Sequence, residues 1–99
     1  MTPEGLTKRA LAKMCTTHGA ILHTNVQGRF ANKGFPDVTI IKQGGEVAFV
    51  ELKRAGTTQK ALTPTQVLWR DKLLQQNANW FFYNLDEELT NQIEKWLSK

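Results

Sequence analysis

The chain has one cysteine in 99 residues. A lone thiol forms no internal disulfide and cannot build a cysteine-rich zinc or iron–sulfur site, so Cys15 reads as a packing residue. No apolar run approaches the ~20 residues that a membrane span requires. Met1-Thr2-Pro3-Glu4-Gly5 also lacks the charged-then-apolar plan of a secretory leader. These absences lead us to expect an intracellular protein with no membrane partner. Internal repeats and low-complexity segments are missing as well. With 40% hydrophobic and 9% aromatic residues, the chain has material for one modest core, and residues 1–99 read as a single domain.

Acids are scarce where bases are plentiful. The net charge is +4, and it is unevenly spread: residues 1–70 carry ten Lys or Arg against four acids, whereas residues 71–99 carry three against five. Such an excess of cations points to a polyanionic partner. Of the four acids in the basic section, only Glu46 is spare. Asp37 and Glu51 flank one prospective site, and Glu4 is a third candidate. A few carboxylates set among many cations suit a metal-dependent enzyme that works on phosphates.

Two cap-then-proline signatures mark helix starts. Thr2-Pro3-Glu4 opens a helix over 3–17, with Leu6, Ala10, Leu11 and Met14 as its apolar stripe and an end near Gly19. Thr63-Pro64 opens a second helix that runs to about Asn77, with Val67, Trp69, Leu73 and Leu74 as its apolar surface. Asp86 caps a last helix bearing Leu89, Ile93, Trp96 and Leu97. Strands are expected over 20–26, 37–42, 46–53 and 79–83, with basic loops at 27–34 and 54–62. His18 and His23 have Gly19 between them and no third histidine beside them. They read as surface or hydrogen-bonded positions rather than metal ligands.

The stretch Val47-Ala48-Phe49-Val50-Glu51-Leu52-Lys53 organises the rest. On a strand, positions two apart share a face, so Glu51 and Lys53 point the same way. Charged groups at the end of an apolar strand must be paired, solvated or bound to a metal. The preceding strand decides where Asp37 stands. A two-residue Gly44-Gly45 loop would put Asp37 on the opposite face from Glu51. A three-residue Gln43-Gly44-Gly45 loop pairs Lys42 with Glu46 and sets Asp37 across from Glu51, and it places glycine where such a loop needs a left-handed residue. The second register is expected.

Four motifs now stand in order: Glu4 in a helix, Gly34-Phe35-Pro36-Asp37, Glu51-Leu52-Lys53, and Thr63-Pro64-Thr65-Gln66. The pattern resembles the virus-type replication-repair nuclease domain, VRR-NUC, of the PD-(D/E)XK nuclease superfamily, over about Glu4 to Tyr83. One departure is Asn77 where that family has glycine, although Asn also tolerates a helix-ending conformation. The resemblance implies an α/β fold with a PD-(D/E)XK nuclease-like core, a mixed β-sheet flanked by helices in the order αβββαβα. It implies an endonuclease of the single-domain bacteriophage type, acting on branched DNA such as four-way (Holliday) junctions in the cytoplasm of a bacterial host. It also gives Gln66 the task of orienting Lys53 or a water, and makes Glu4 a further metal ligand.

The chemistry agrees with the residues. Phosphodiester hydrolysis needs an activated water, neutralised charge on the phosphate and a stabilised leaving oxygen, and a hard divalent cation held by carboxylates serves all three. Asp37, Glu51 and the Leu52 carbonyl are the expected ligands of Mg²⁺ or Mn²⁺. Lys53 would position or deprotonate the water, or balance transition-state charge. Arg9, Lys13, Arg29, Lys33, Arg54 and Lys60 are the expected DNA contacts. A four-way junction needs two nicks and the chain offers one site, so a homodimer is expected, with Trp80 to Tyr83 and the apolar side of the last helix as the surface to be covered. The rival readings are a non-catalytic nucleic-acid-binding domain, with no reason to gather acids, and a structural or inhibitory phage protein.

Overall fold

The Thr2 side-chain oxygen accepts the Gly5 N–H at 3.0 Å and so starts α1 (Pro3–Thr17). Pro3 stands in the first turn, where its missing N–H costs nothing, and Glu4 meets the positive end of the helix dipole. The computed structural model describes residues 2–26 and 33–99. After α1 come β1 (Ile21–Thr24), β2 (Val38–Ile41), β3 (Val47–Leu52), α2 (Pro64–Gln75), β4 (Asn79–Tyr83) and α3 (Glu87–Leu97), the order expected from the sequence. The 54–62 loop differs from expectation, because Gln59–Ala61 makes a 3₁₀ turn and Leu62 is buried behind it.

The strands form one mixed sheet in the order β1-β2-β3-β4, antiparallel except for the parallel pair β3-β4. The hairpin takes the three-residue loop. Val38 faces Val50 and Ile41 faces Val47, the Lys42 N–H donates to the Glu46 carbonyl at 3.0 Å, and one step beyond Val38 the ladder sets Asp37 across from Glu51. Gly44 and Gly45 hold φ of +92° and +86°, which side chains disfavour. The opposite-charge pair beside the turn forms as well, with Lys42 Nζ 3.3 Å from the Glu46 carboxylate.

One face of the sheet carries the core. Val38, Ile40, Ala48, Val50, Leu52 and Tyr83 pack with Leu11, Met14 and Cys15 of α1 and Ile93, Trp96 and Leu97 of α3. Each fully buried aliphatic chain there contributes about 1.5–3 kcal/mol. The α1 stripe keeps Leu11 and Met14 inward as expected, with Ala10 packed beside them, but Leu6 is exposed and fully buried Thr7 takes its place. Of the α3 side chains expected to cover a partner, Ile93, Trp96 and Leu97 are instead buried in the chain's own core, as is Tyr83, and Phe82 is buried too. Leu89, Trp80 and Phe81 are partly buried, which leaves less of that surface for a second copy. Lys42 is held inside too, donating from Nζ to the Trp96 carbonyl at 2.8 Å near the negative end of α3.

The opposite face is closed by α2. Phe35 stands edge-on to both Phe49 and Trp69, with centroids 5.6 and 5.0 Å away. Phe49 and Glu51 share that face. Thr63 and Gln66 form a reciprocal capping box at the start of α2. At its end Asn77 takes φ +60°, the left-handed stop expected in place of glycine.

Candidate active site

The loop from Lys33 to Asp37 is pinned between α2 and the sheet. Gly34 has φ +82°, and a Cβ there would lie 2.5 Å from the Thr65 carbonyl carbon, so its backbone touches the first turn of α2 directly. Only glycine allows that approach. Two of the four sequence motifs are thus in contact. Pro36 is fully buried behind Phe35, and Asp37 emerges at the end of the sheet, half-buried, with Oδ2 accepting the Leu52 N–H at 2.8 Å.

Glu51 lies across the ladder from Asp37 and is only 1% exposed, yet neither carboxylate oxygen has a hydrogen-bond partner. An ionised carboxylate in such a place is costly. Burial first, and then the neighbouring Asp37, push its pKa up to about 8, while Lys53 pulls the other way. Lys53 is half-buried. Its N–H donates to the Tyr83 carbonyl at 2.9 Å and its carbonyl accepts the Thr7 hydroxyl at 2.8 Å. The Glu-x-Lys stretch is therefore held by β4 on one side and α1 on the other.

Asp37, but not Glu51, lines a cavity of about 200 Å³ together with Glu4, Lys8, Thr24, Asn25 and Leu52 among others. Glu4 is exposed on its wall, and Glu4 also borders a neighbouring depression with Arg54. The carboxylates come together as a pair rather than a trio. Among the described residues no group of three or more His, Cys, Asp or Glu side chains is gathered as a ligand set. Gln66 spends its side-chain oxygen on the Thr63 N–H at 2.8 Å, which leaves its amide nitrogen for the orienting role that the resemblance implies.

No family model, no curated protein and no solved structure matches this chain. The geometry must speak for itself. A buried carboxylate whose two oxygens have no partner, beside a second carboxylate anchored on a backbone N–H, is a donor set of the hard-oxygen type that suits Mg²⁺ or Mn²⁺. Asp37 and Glu51, at one strand end, would hold such an ion, with the Leu52 carbonyl as the further ligand expected from the sequence.

Of the expected DNA contacts, Arg54 borders a depression that Glu4 also borders, whereas Lys13 borders one with Thr90 and Glu94 of α3. Arg9, Lys13, Lys33, Arg54 and Lys60 are all exposed, and Arg29 lies outside the described residues. Lys8 was not singled out in the sequence, but it lines the cavity that Asp37 lines. Thr7 and Asn25 were missed too. Thr7 could have been found from its 7, 11, 14 spacing with Leu11 and Met14, which places a hydroxyl on a buried stripe. Asn25 had no comparable signal. His18 Nε2 donates to the Glu94 carboxylate at 2.6 Å, and His23 is exposed.

Proposed function

We propose that this chain is a metal-dependent endonuclease of the VRR-NUC type with a PD-(D/E)XK core, hydrolysing DNA phosphodiester bonds with a preference for branched DNA such as four-way junctions. The observation that carries this reading is Glu51, buried to 1% exposure with both oxygens unpartnered beside Asp37. An unsatisfied buried acceptor costs about 1–3 kcal/mol or more, a cost that a bound cation would offset.

Bound Mg²⁺ or Mn²⁺ supplies Lewis-acid activation and charge neutralisation at the phosphate. Asp37, Glu51 and the Leu52 carbonyl would hold the ion, and Glu4 reaches the same cavity from α1. Lys53, with its backbone fixed to Thr7 and Tyr83, positions the attacking water and balances the negative charge that builds on the phosphate. Gln66 turns its amide nitrogen toward that group or the water. Arg9, Lys13, Arg29, Lys33, Arg54 and Lys60 grip the flanking phosphates.

Two coupled nicks in a junction call for a homodimer. Ile93, Trp96 and Leu97 of α3 are buried in the chain's own core. Ile21 and Ile41, exposed cross-strand partners at edge strand β1, offer apolar area instead. Labelled four-way junction, flap and duplex DNA, incubated with Mg²⁺, Mn²⁺ or EDTA, test the proposal. Junction cleavage that EDTA and Glu51→Gln both stop is expected. DNA bound without cleavage in either metal would leave a non-catalytic nucleic-acid-binding domain.

A further inference from the structure

We infer that Asn25 is a positioning residue that aims the Asp37 carboxylate, an assignment resting on the reading of this site as a metal-dependent phosphodiesterase. Three hydrogen bonds carry it. The Asn25 backbone N–H donates to the Asp37 carbonyl at 2.9 Å, its Nδ2 donates to the Pro36 carbonyl at 2.9 Å, and its Oδ1 accepts from the Thr39 hydroxyl at 3.0 Å. One residue at the end of β1 thus holds the main chain just before Asp37, the main chain of Asp37 itself, and the side chain two positions after it.

The direction of the amide is fixed by chemistry. Pro36 presents only a carbonyl there, which cannot donate, so the nitrogen of Asn25 must face it and the oxygen must face Thr39. Pro36 is fully buried, and without Nδ2 its carbonyl would lose this side-chain partner. Asp37 has just two side-chain torsions, so its backbone orientation largely decides where the carboxylate goes. That carboxylate meets the Leu52 N–H at 2.8 Å. Asn25 also lines the cavity with Asp37.

The Leu52 amide reports on the aim of Asp37 without any metal. In hydrogen exchange read by NMR, Asn25→Ala should release the Leu52 amide as fully as Asp37→Ala does, while the Val50 amide keeps its protection. Calorimetric Mn²⁺ titration should then show Asn25→Ala binding about tenfold more weakly than the unaltered protein. Thr39→Val, which removes one of the two side-chain partners, should move both readouts less and in the same direction, and it serves if Asn25→Ala does not fold. A Leu52 amide as protected as in the unaltered protein would overturn the inference, as would unchanged Mn²⁺ affinity in a variant whose Leu52 amide is released. An unaltered protein that binds no Mn²⁺ would overturn the metal reading itself, whatever the Leu52 amide does.

Discussion

Burial and the neighbouring Asp37 carboxylate hold the Glu51 carboxyl at about 8, against 4.5 for an unhindered glutamate. The folded protein keeps a proton that the unfolded chain gives up between these values. This carboxyl's contribution to stability is therefore complete below about pH 4.5 and is lost as pH rises through about 8, at up to about 1.4 kcal/mol per pH unit. Urea melts in EDTA at pH 5 to 8 should show the midpoint falling with pH, and Glu51→Gln should flatten that fall. A wild-type midpoint that does not move would contradict the account of Glu51. Cys15 offers a simpler check. Burial pushes its thiol up to about 11, so an aromatic disulfide reagent at pH 8 should find no reactive thiol in the folded protein and one after unfolding. Asp37, Glu51 and Lys53 were legible in the sequence because strand alternation and hairpin loop length together fix which side chains meet. Thr7 and Asn25 were not. The 7, 11, 14 spacing marks Thr7 as a buried position but not its partner 46 positions away, and Asn25 has side-chain partners 11 and 14 away that no local spacing announces.

Among the elements, two contacts assemble the site. The first is Gly34 against the first turn of α2, and Gly34→Ala should cost more than Gly44→Ala. Both glycines have positive φ, but a Cβ at Gly34 would collide with the Thr65 and Gln66 backbone, whereas Gly44 has nothing within 4 Å. The strain common to both is about 1–3 kcal/mol, so thermal melts should place Gly34→Ala well below Gly44→Ala. Equal melting temperatures would mean that the contact is unimportant. The second contact is the Thr7 hydroxyl on the Lys53 carbonyl. Thr7→Val keeps the shape and orphans that carbonyl, at a cost of about 1–3 kcal/mol, and Thr7→Ser should recover most of the loss in a urea melt. The order of elements, α1 from Pro3 to Thr17, the hairpin register and the Asn77 stop could be read from capping residues and loop length. The first turn of the α1 stripe could not, because Leu6 and Thr7 are adjacent and only the packed sheet decides which turns inward. The 3₁₀ turn at Gln59–Ala61 escaped because its cap, Thr58, looks like any other loop threonine.

On the scale of the whole molecule, the cations that matter are those left outside. Lys42 is buried against Trp96 and cannot meet a phosphate, whereas Lys33 is exposed beside the Gly34–Asp37 loop. Each Lys or Arg that neutralises a duplex phosphate adds about 0.9 to the slope of log affinity against log salt. Lys33→Ala should make that slope shallower, and Lys42→Ala should leave it unchanged while lowering stability; anisotropy titrations over a range of salt would show either result. The hairpin that carries Asp37 and Glu51 also has two electrically opposite ends. Its turn is closed by an attractive pair, Lys42 and Glu46, and its open end by two acids. Zipping from the turn outward is downhill until the last rung, where the acids must be brought together. A divalent ion held as proposed would need both of them in place, and so would have no grip on a half-zipped chain. Mn²⁺ would then slow unfolding and leave the folding rate nearly untouched, acting as a latch on the finished hairpin rather than a nucleus for it.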